Sequence, residues 1–101
     1  MEEITELLWQ AAESRQACRL SLEGEPLPRI IYPYGIAQTS RHHVVLVCWQ
    51  AGGLTKAGGT EGYRNLQLDK IAEVELMDRH FEKRTDFNTK DSQYKDWVFH
   101  I

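Results

Sequence analysis

The sequence predicts a mainly β fold of the α+β class, in which five strands form a small barrel or strongly bent sheet flanked by an N-terminal and a C-terminal helix. Three observations predict it. Apolar residues recur at helical spacing near both ends, the middle of the chain alternates apolar and polar residues, and one central run is apolar on both faces. A chain of 101 residues suffices for one core, so we expect a single domain over residues 1–101.

The bulk composition narrows the class of protein. Apolar residues make up 42% of the chain and charged residues 27%, as in soluble globular proteins, and no apolar run approaches the roughly 18 residues of a membrane span. The chain opens with glutamates where a secretory signal needs a basic flank, which predicts a cytoplasmic protein. A net charge of −3 disfavours direct nucleic-acid binding, because such binding depends on clustered Lys and Arg.

The first element is an amphipathic helix over about residues 2–14. Its apolar residues follow the i, i+3, i+4, i+7, i+8 spacing of one helical face, which seeks a sheet to cover. These positions are Ile4, Leu7, Leu8, Ala11 and Ala12. Trp9 falls off this stripe, so we expect it either at the edge of the core or on a surface that faces a partner.

Five strands are expected to form a barrel over about residues 17–77. The first, "ACRLSLEG", alternates apolar and polar residues as a half-buried strand does. The second runs from about residue 29 to 37, and its Pro33 and Gly35 predict an edge or a bend in a curved sheet. The third, "VVLVCW", is apolar on both parities, so it must be covered on both faces; a barrel or bent sheet meets this demand and an open one-sided sheet does not.

The segment "AGGLTKAGGTEG" at 51–62 predicts a flexible hairpin loop. It does not contain the Gly-Lys-Ser/Thr of a phosphate-binding loop. Two strands follow, "YRNLQL" and "IAEVELM". At the C-terminus, Tyr94, Trp97, Val98 and Ile101 have helical spacing, and Asn88 with Asp91 resembles a capping box, so we predict a helical segment over about 88–101.

Residues with catalytic or metal-binding chemistry form no recognisable motif. Cys18 and Cys48 have no C-x-x-C spacing and are expected to be buried free thiols. The four histidines include no pair with ligand spacing, and no nucleophile stands in a hydrolase signature. We therefore expect a protein that is not an enzyme and uses no metal or other cofactor.

Two arginines stand on strand faces that are otherwise apolar. Arg29 shares parity with Ile31 in the second strand, and Arg64 shares parity with Leu66 in the fourth. A guanidinium group is not buried unpaired, so each must reach water, meet a carboxylate such as Glu25 or Asp69, or await an anionic ligand. Rim ion pairs and a paired-arginine anion site are the two hypotheses.

Two segments resemble the WYL domain of bacterial transcriptional regulators. Residues 29–36, "RIIYPYGI", are similar to that family's arginine-x-aliphatic-x-proline-x-glycine-aliphatic strand, and "YRNLQLDKI" at 63–71 is similar to its "YRTFRLDRI"-like segment. The likeness extends from residue 4 to about residue 82. It implies an Sm-like or SH3-type barrel of five strands and a role in sensing a small anionic or nucleotide-like ligand.

By the same resemblance, Arg29 and Arg64 are expected to contact the ligand, together with Tyr34 and with Gln67, which replaces a second arginine of the family. The chain departs from the family where Val44-Val45-Leu46 replaces Trp-Tyr-Leu and Leu22 replaces a pocket tyrosine. We therefore expect a regulatory module that acts as a homodimer or with a separate DNA-binding subunit. The alternative is a protein-interaction or dimerisation domain whose pocket Val44, Val45 and Leu22 have filled, with Trp9 and the C-terminal "YKDWVFHI" as contact surfaces.

Overall fold

The computed structural model describes residues 2–51 and 61–101. One helix precedes six strands: α1 (Glu2–Ser14), β1 (Gln16–Leu22), β2 (Arg29–Thr39), β3 (Val44–Gln50), β4 (Gly62–Gln67), β5 (Ile71–His80) and β6 (Tyr94–His100). A short 3-10 helix, Leu68–Lys70, joins β4 to β5. The predicted hairpin loop lies, apart from its ends, outside the described residues.

All strand pairs are antiparallel and belong to one sheet in the order β4-β3-β2-β1-β5, with β6 also paired to β2. The mainly β fold and the N-terminal helix are thus confirmed. Among the described residues no pairing links β4 to β5, so the sheet is not closed. The predicted five-stranded closed barrel is replaced by an open, six-stranded sheet.

Strand β2 has different partners along its two halves. Residues 29–31 pair with β1, and residues 35–39 pair with β6 on the same side of the strand. The register against β3 shifts between Pro33 and Gly35, which is where the sequence predicts a bend. A Cβ atom on Gly35 would lie 2.5 Å from the backbone oxygen of Phe99, so only glycine allows β6 to approach this closely.

The main core lies between α1 and one face of the sheet, which we call the core face. Most of the predicted apolar stripe of α1 is buried here: Leu8, Ala11 and Ala12 are wholly inaccessible to solvent, and Ile4 packs against the cluster. Leu7 is the exception, since it is 36% exposed and faces away from the sheet. Buried apolar residues from every strand complete the cluster, among them Leu20, Ile31, Leu46, Cys48, Leu66, Ile71 and Phe99. The amphipathic pattern of the helix therefore finds the sheet that it requires.

The opposite face, which we call the second face, is also covered. Residues 81–93, the covering segment, run across it, and β6 adds Trp97. Phe81 stacks on Tyr32 at 4.8 Å, and the guanidinium carbon of Arg84 lies 3.9 Å from the centre of the Trp49 ring. The prediction that β3 is buried on both sides is confirmed, since Val45, Leu46, Val47 and Cys48 are all buried. The covering segment, rather than closure of a barrel, therefore buries β3 on the second face.

The predicted C-terminal helix is wrong, because residues 94–100 form strand β6. The polar residues ahead of it make turns instead of a helix cap: Asn88 Oδ1 accepts from the Lys90 N–H, and Asp91 Oδ1 accepts from the Gln93 N–H. Two register shifts along the β2 to β6 pairing leave Lys95 and Val98 as extra residues. The two extra residues allow Tyr94 and Trp97, which are three positions apart, to pack against the same face of the sheet. A spacing of three positions on one face is also the spacing of a helix, which is why the sequence predicted one.

In the part of the chain that the structure describes, no helix has the length and apolar character needed to cross a lipid bilayer.

Candidate functional site

Arg29 is the first residue of β2, and its guanidinium group already has two partners. Its Nε and Nη2 atoms donate to the two carboxylate oxygens of Glu25 at 3.1 and 2.7 Å, a two-pronged ion pair. Its Nη1 atom donates to Oε1 of Gln50 at 3.0 Å. The Arg29 side chain is 21% exposed. Of the alternatives drawn from the sequence, a rim ion pair with Glu25 is therefore the observed arrangement.

A tight turn after β1 positions Glu25. Its N–H donates to the carbonyl of Leu22 at 3.1 Å, and Gly24 has φ of +81° at the third position of this four-residue turn. Glycine adopts such a backbone without strain, as a type II turn requires. The neighbouring N–H of Glu23 donates to the carbonyl of Lys70 at 2.8 Å, which fixes the turn to the start of β5.

Arg64 lies on the same face and at the same end of the sheet. It is the register partner of Cys48 in β3, and Gln50, two residues further along β3, is the partner of both Ile31 and Gly62. Register partners project to one face of an antiparallel sheet, and so do residues two apart. Arg64, Gln50 and Arg29 therefore lie together where the core face meets solvent, and we call this the arginine end. Nη1 of Arg64 donates to the carbonyl of Tyr63 at 2.9 Å.

The positive charges of Arg29 and Arg64 both act on the buried thiol of Cys48. Burial raises its pKa to about 12, while the positive charges of Arg29 and Arg64 act in the opposite direction. Both guanidinium groups are thus within electrostatic reach of one atom. The pKa of the Glu25 carboxyl is lowered, chiefly by its hydrogen bonds from Arg29. Arg29, Arg64 and Glu25 together carry two positive charges and one negative charge.

Gln50 is a member of this group that the sequence did not suggest. It is only 2% exposed and supplies the acceptor that holds Nη1 of Arg29 in place. The sequence did contain a signal for it: Gln50 ends an otherwise apolar strand and has the same parity as Leu46 and Cys48, so its side chain points to the core face. A buried amide needs a hydrogen-bonding partner, and here that partner is Arg29.

Tyr34 lies away from the arginine end. Its ring is fully buried among Tyr63, Phe81 and Phe87 on the second face. Its hydroxyl oxygen accepts from the backbone N–H of Arg84 at 2.9 Å. In this arrangement the Tyr34 side chain belongs to the packing beneath the covering segment and is inaccessible to solvent.

Gln67 is likewise separate. It is paired with Val45 at the far end of β4, three residues from Arg64 and on the second face. Its Nε2 atom lies 3.3 Å from Nδ1 of His43. A shallow pocket of about 300 Å³ adjoins it, lined by His42, His43, Val44, Gln67, Leu68 and Asp69. The structure therefore brings together two of the four expected ligand residues, Arg29 and Arg64, and places Tyr34 and Gln67 elsewhere.

Val44, Val45 and Leu22, which the alternative hypothesis expects to fill one pocket, do not pack together. Val44 is 40% exposed, Val45 packs in the second-face cluster, and Leu22 packs against the main core. These three side chains therefore lie in three separate places.

The two surfaces named as partner contacts do meet. The ring of Trp9 on α1 stacks on that of Phe99 in β6, with centres 4.9 Å apart and planes inclined by 11°. Trp9 remains 41% exposed, and Val98, which precedes Phe99 in β6, is 52% exposed. The indole thus covers the edge of the core on one side and faces solvent on the other.

No family model, curated protein sequence or solved structure matches this chain. Within residues 2–51 and 61–101, no three His, Cys, Asp or Glu side chains come together in the manner of metal ligands. The functional inference therefore depends on the geometry of the arginine end and on the resemblance of the two strands that carry it.

Proposed function

We propose that this chain is a non-enzymatic, WYL-like regulatory module that binds a small anionic or nucleotide-like ligand at the arginine end and acts in bacterial transcriptional regulation. The observation that carries the proposal is that Arg29 and Arg64, 35 positions apart in the sequence, lie on one face at one end of the sheet, on the two strands that pair with either side of β3. Two guanidinium groups in one place favour an anion over other ligands.

The surroundings of Arg29 suit it to that task. Gln50 holds one nitrogen of its guanidinium group, so the planar group is oriented before any ligand arrives. The Nε and Nη2 edge, which faces Glu25, has the geometry that binds carboxylate or phosphate oxygens in pairs. Arg64 supplies a second positive charge nearby. In this proposal the ligand bridges the two arginines, and Tyr34 and Gln67 act only indirectly, through packing and through the far end of β4.

The resemblance to the WYL family supports the same proposal. The segment 29–36 forms most of β2, and the segment 63–71 forms most of β4 and the 3-10 helix. Arg29 is the first residue of β2 and Arg64 is the third residue of β4, and both strands adjoin β3. We propose that the open six-stranded sheet is a variant of the family's Sm-like barrel. The regulatory partner is then a second copy of this chain or a separate DNA-binding subunit.

Thermal shift and calorimetric titration with pyrophosphate, ATP and a short oligothymidylate test the ligand proposal. We expect wild type to bind one or more of these probes, and Arg64→Ala and Arg29→Ala to weaken that binding at least about tenfold, as loss of a charge-assisted contact requires. Arg41→Ala is the matched control, because it removes the same charge from an exposed turn. Equal affinities for the wild type and both site variants would refute the arginine site, and a steep salt dependence with oligothymidylate alone would point to nucleic-acid binding.

A second candidate, a dimerisation or protein-interaction domain, is favoured by the stacked and half-exposed Trp9. Aromatic residues of this kind are frequent at the centres of protein interfaces. Light scattering over a wide concentration range should then report a dimer that Trp9→Ala dissociates, while Leu27→Ala, at a comparably exposed position in the β1 to β2 loop, leaves it intact. A monomer at every concentration excludes the homodimer.

A further inference from the structure

We infer that Glu25 is a built-in competitor for the anion at the arginine end, so that a ligand must displace this carboxylate before it can bind the Nε and Nη2 edge of Arg29. The inference rests on the proposed function and concerns the regulation of the same site. Glu25 occupies both nitrogens of the Nε and Nη2 edge, and Gln50 occupies Nη1. The Nε and Nη2 edge of Arg29, which binds oxyanions in pairs, is therefore occupied while Glu25 is in place, and Gln50 takes one N–H of Nη1.

The loop that carries Glu25 holds it close to Arg29. The turn from Leu22 to Glu25 is closed by a backbone hydrogen bond and contains Gly24 with positive φ. Proline follows at positions 26 and 28, which restricts the backbone between the turn and β2. A carboxylate on so constrained a loop has a high effective concentration at the guanidinium group.

Displacement is nonetheless feasible. The Glu25 side chain is 37% exposed, so it can turn from Arg29 to water without crossing the core. Ion pairs at such partly exposed sites are weak and exchange readily with other anions. Glu25 thereby lowers the apparent affinity of the arginine end for an anion, because the anion binds Arg29 only during the fraction of time in which Glu25 is not paired with it.

The competitor also selects the class of ligand. A free monocarboxylate can make only the same two hydrogen bonds to Arg29 that Glu25 already makes. It also lacks the high effective concentration that the loop gives to Glu25. A phosphate or pyrophosphate group carries more charge and more acceptor oxygens, and can contact Arg64 at the same time. The arginine end should therefore respond to phosphate-bearing ligands and disregard simple carboxylates.

Titration calorimetry with pyrophosphate at fixed ionic strength tests this inference in wild type, Glu25→Gln, Glu25→Ala and Glu23→Gln. Glu23 lies in the same turn, is exposed, and makes no side-chain hydrogen bond or ion pair among the described residues, so its variant removes an equal charge without releasing Arg29. We expect both Glu25 variants to bind pyrophosphate about fivefold or more tightly than Glu23→Gln does. Acetate should bind more weakly than pyrophosphate to every protein.

Three other results overturn the inference in distinguishable ways. If wild type binds pyrophosphate through Arg29 and Arg64 but Glu25→Gln and Glu23→Gln bind equally, competition is refuted and the proposed function stands. If the Glu25 variants bind more weakly than Glu23→Gln, the carboxylate positions Arg29 for the ligand and does not compete with it. If no variant binds any probe, the competition and the proposed anion site fail together.

Discussion

The hydroxyl group of Tyr34 accepts a hydrogen bond from the backbone N–H of Arg84 at 2.9 Å, linking the fully buried middle of β2 to the covering segment. Arg84 then places its guanidinium group over the Trp49 ring and pairs with Asp86, which also accepts from the hydroxyl of Tyr63 at 2.7 Å. This network attaches a segment without regular secondary structure to the second face of the sheet.

Tyr34→Phe should lower the free energy of unfolding by about 1–2 kcal/mol, because the Arg84 N–H loses its partner in a part-buried position. Urea unfolding followed by tryptophan fluorescence measures this. Tyr32→Phe is the control, since Tyr32 also stacks on Phe81 but its hydroxyl makes no hydrogen bond among the described residues. Equal losses of stability in the two variants would show that the hydrogen bond contributes nothing specific.

Gly35→Ala should destabilise the fold by about 2 kcal/mol or more, because its Cβ would lie 2.5 Å from the Phe99 backbone oxygen and 2.7 Å from the Trp97 ring. Hydrogen exchange should show that amide protection is lost first in β6. Gly24→Ala is the comparison: its φ of +81° strains alanine, but nothing lies within 4 Å, so β6 should keep its protection. A Gly35→Ala protein with native protection in residues 94–100 would contradict the pairing of β6 with β2.

The ion pair of Arg29 with Glu25 should make stability depend on pH in a definite direction. Hydrogen bonds from Arg29 lower the pKa of Glu25 from its ordinary value of 4.5. A carboxyl with a lowered pKa stabilises the fold above the ordinary value, and this contribution is lost as the pH falls through the lowered one. Wild type should therefore be more stable than Glu25→Gln at about pH 7, and the difference should shrink as the pH falls below 4.5 and through the lowered pKa of Glu25.

Urea unfolding of the two proteins across this range measures that difference. Because both share all other carboxyl groups, their difference isolates Glu25. The exposure of the pair keeps the effect modest. Glu23→Gln, in the same turn, is the control for the loss of one charge, and a gap between wild type and Glu25→Gln that does not narrow as the carboxyl groups become protonated would be inconsistent with the pair.

Cys18 and Cys48 should resist thiol reagents in the native protein. Both are wholly buried and free, and burial raises the pKa of each thiol to about 12, so almost no thiolate exists at neutral pH. Reaction with a chromogenic disulfide reagent should be slow in buffer and should count two thiols in concentrated urea. Ser40→Cys, in an exposed turn, gives the rate for an accessible thiol. Native Cys18 or Cys48 reacting at that rate would show that the core is open.

The sequence predicted the helix, the first five strands and the bend in β2, because each depends on local periodicity or on residues with special backbone preferences. It also predicted that β3 is covered on both faces, since "VVLVCW" leaves no polar side. It failed at the C-terminus, where the bulges at Lys95 and Val98 break the alternation of a strand into the spacing of a helix. Bulges form where two strands must match, and a single strand read alone does not reveal its partner.

At the site, the sequence by itself determined that Arg29 and Arg64 stand on apolar parities and must therefore find partners, because a guanidinium group is not buried alone. Only the tertiary structure decided what those partners are. The pairing of β3 with both β2 and β4 brings the arginines to one end around Gln50, while the turn at Gly24 delivers Glu25 to Arg29. Tyr34 and Gln67 fall on the other face because each lies an odd number of positions from the arginine of its own strand, and alternate side chains of a strand point to opposite faces.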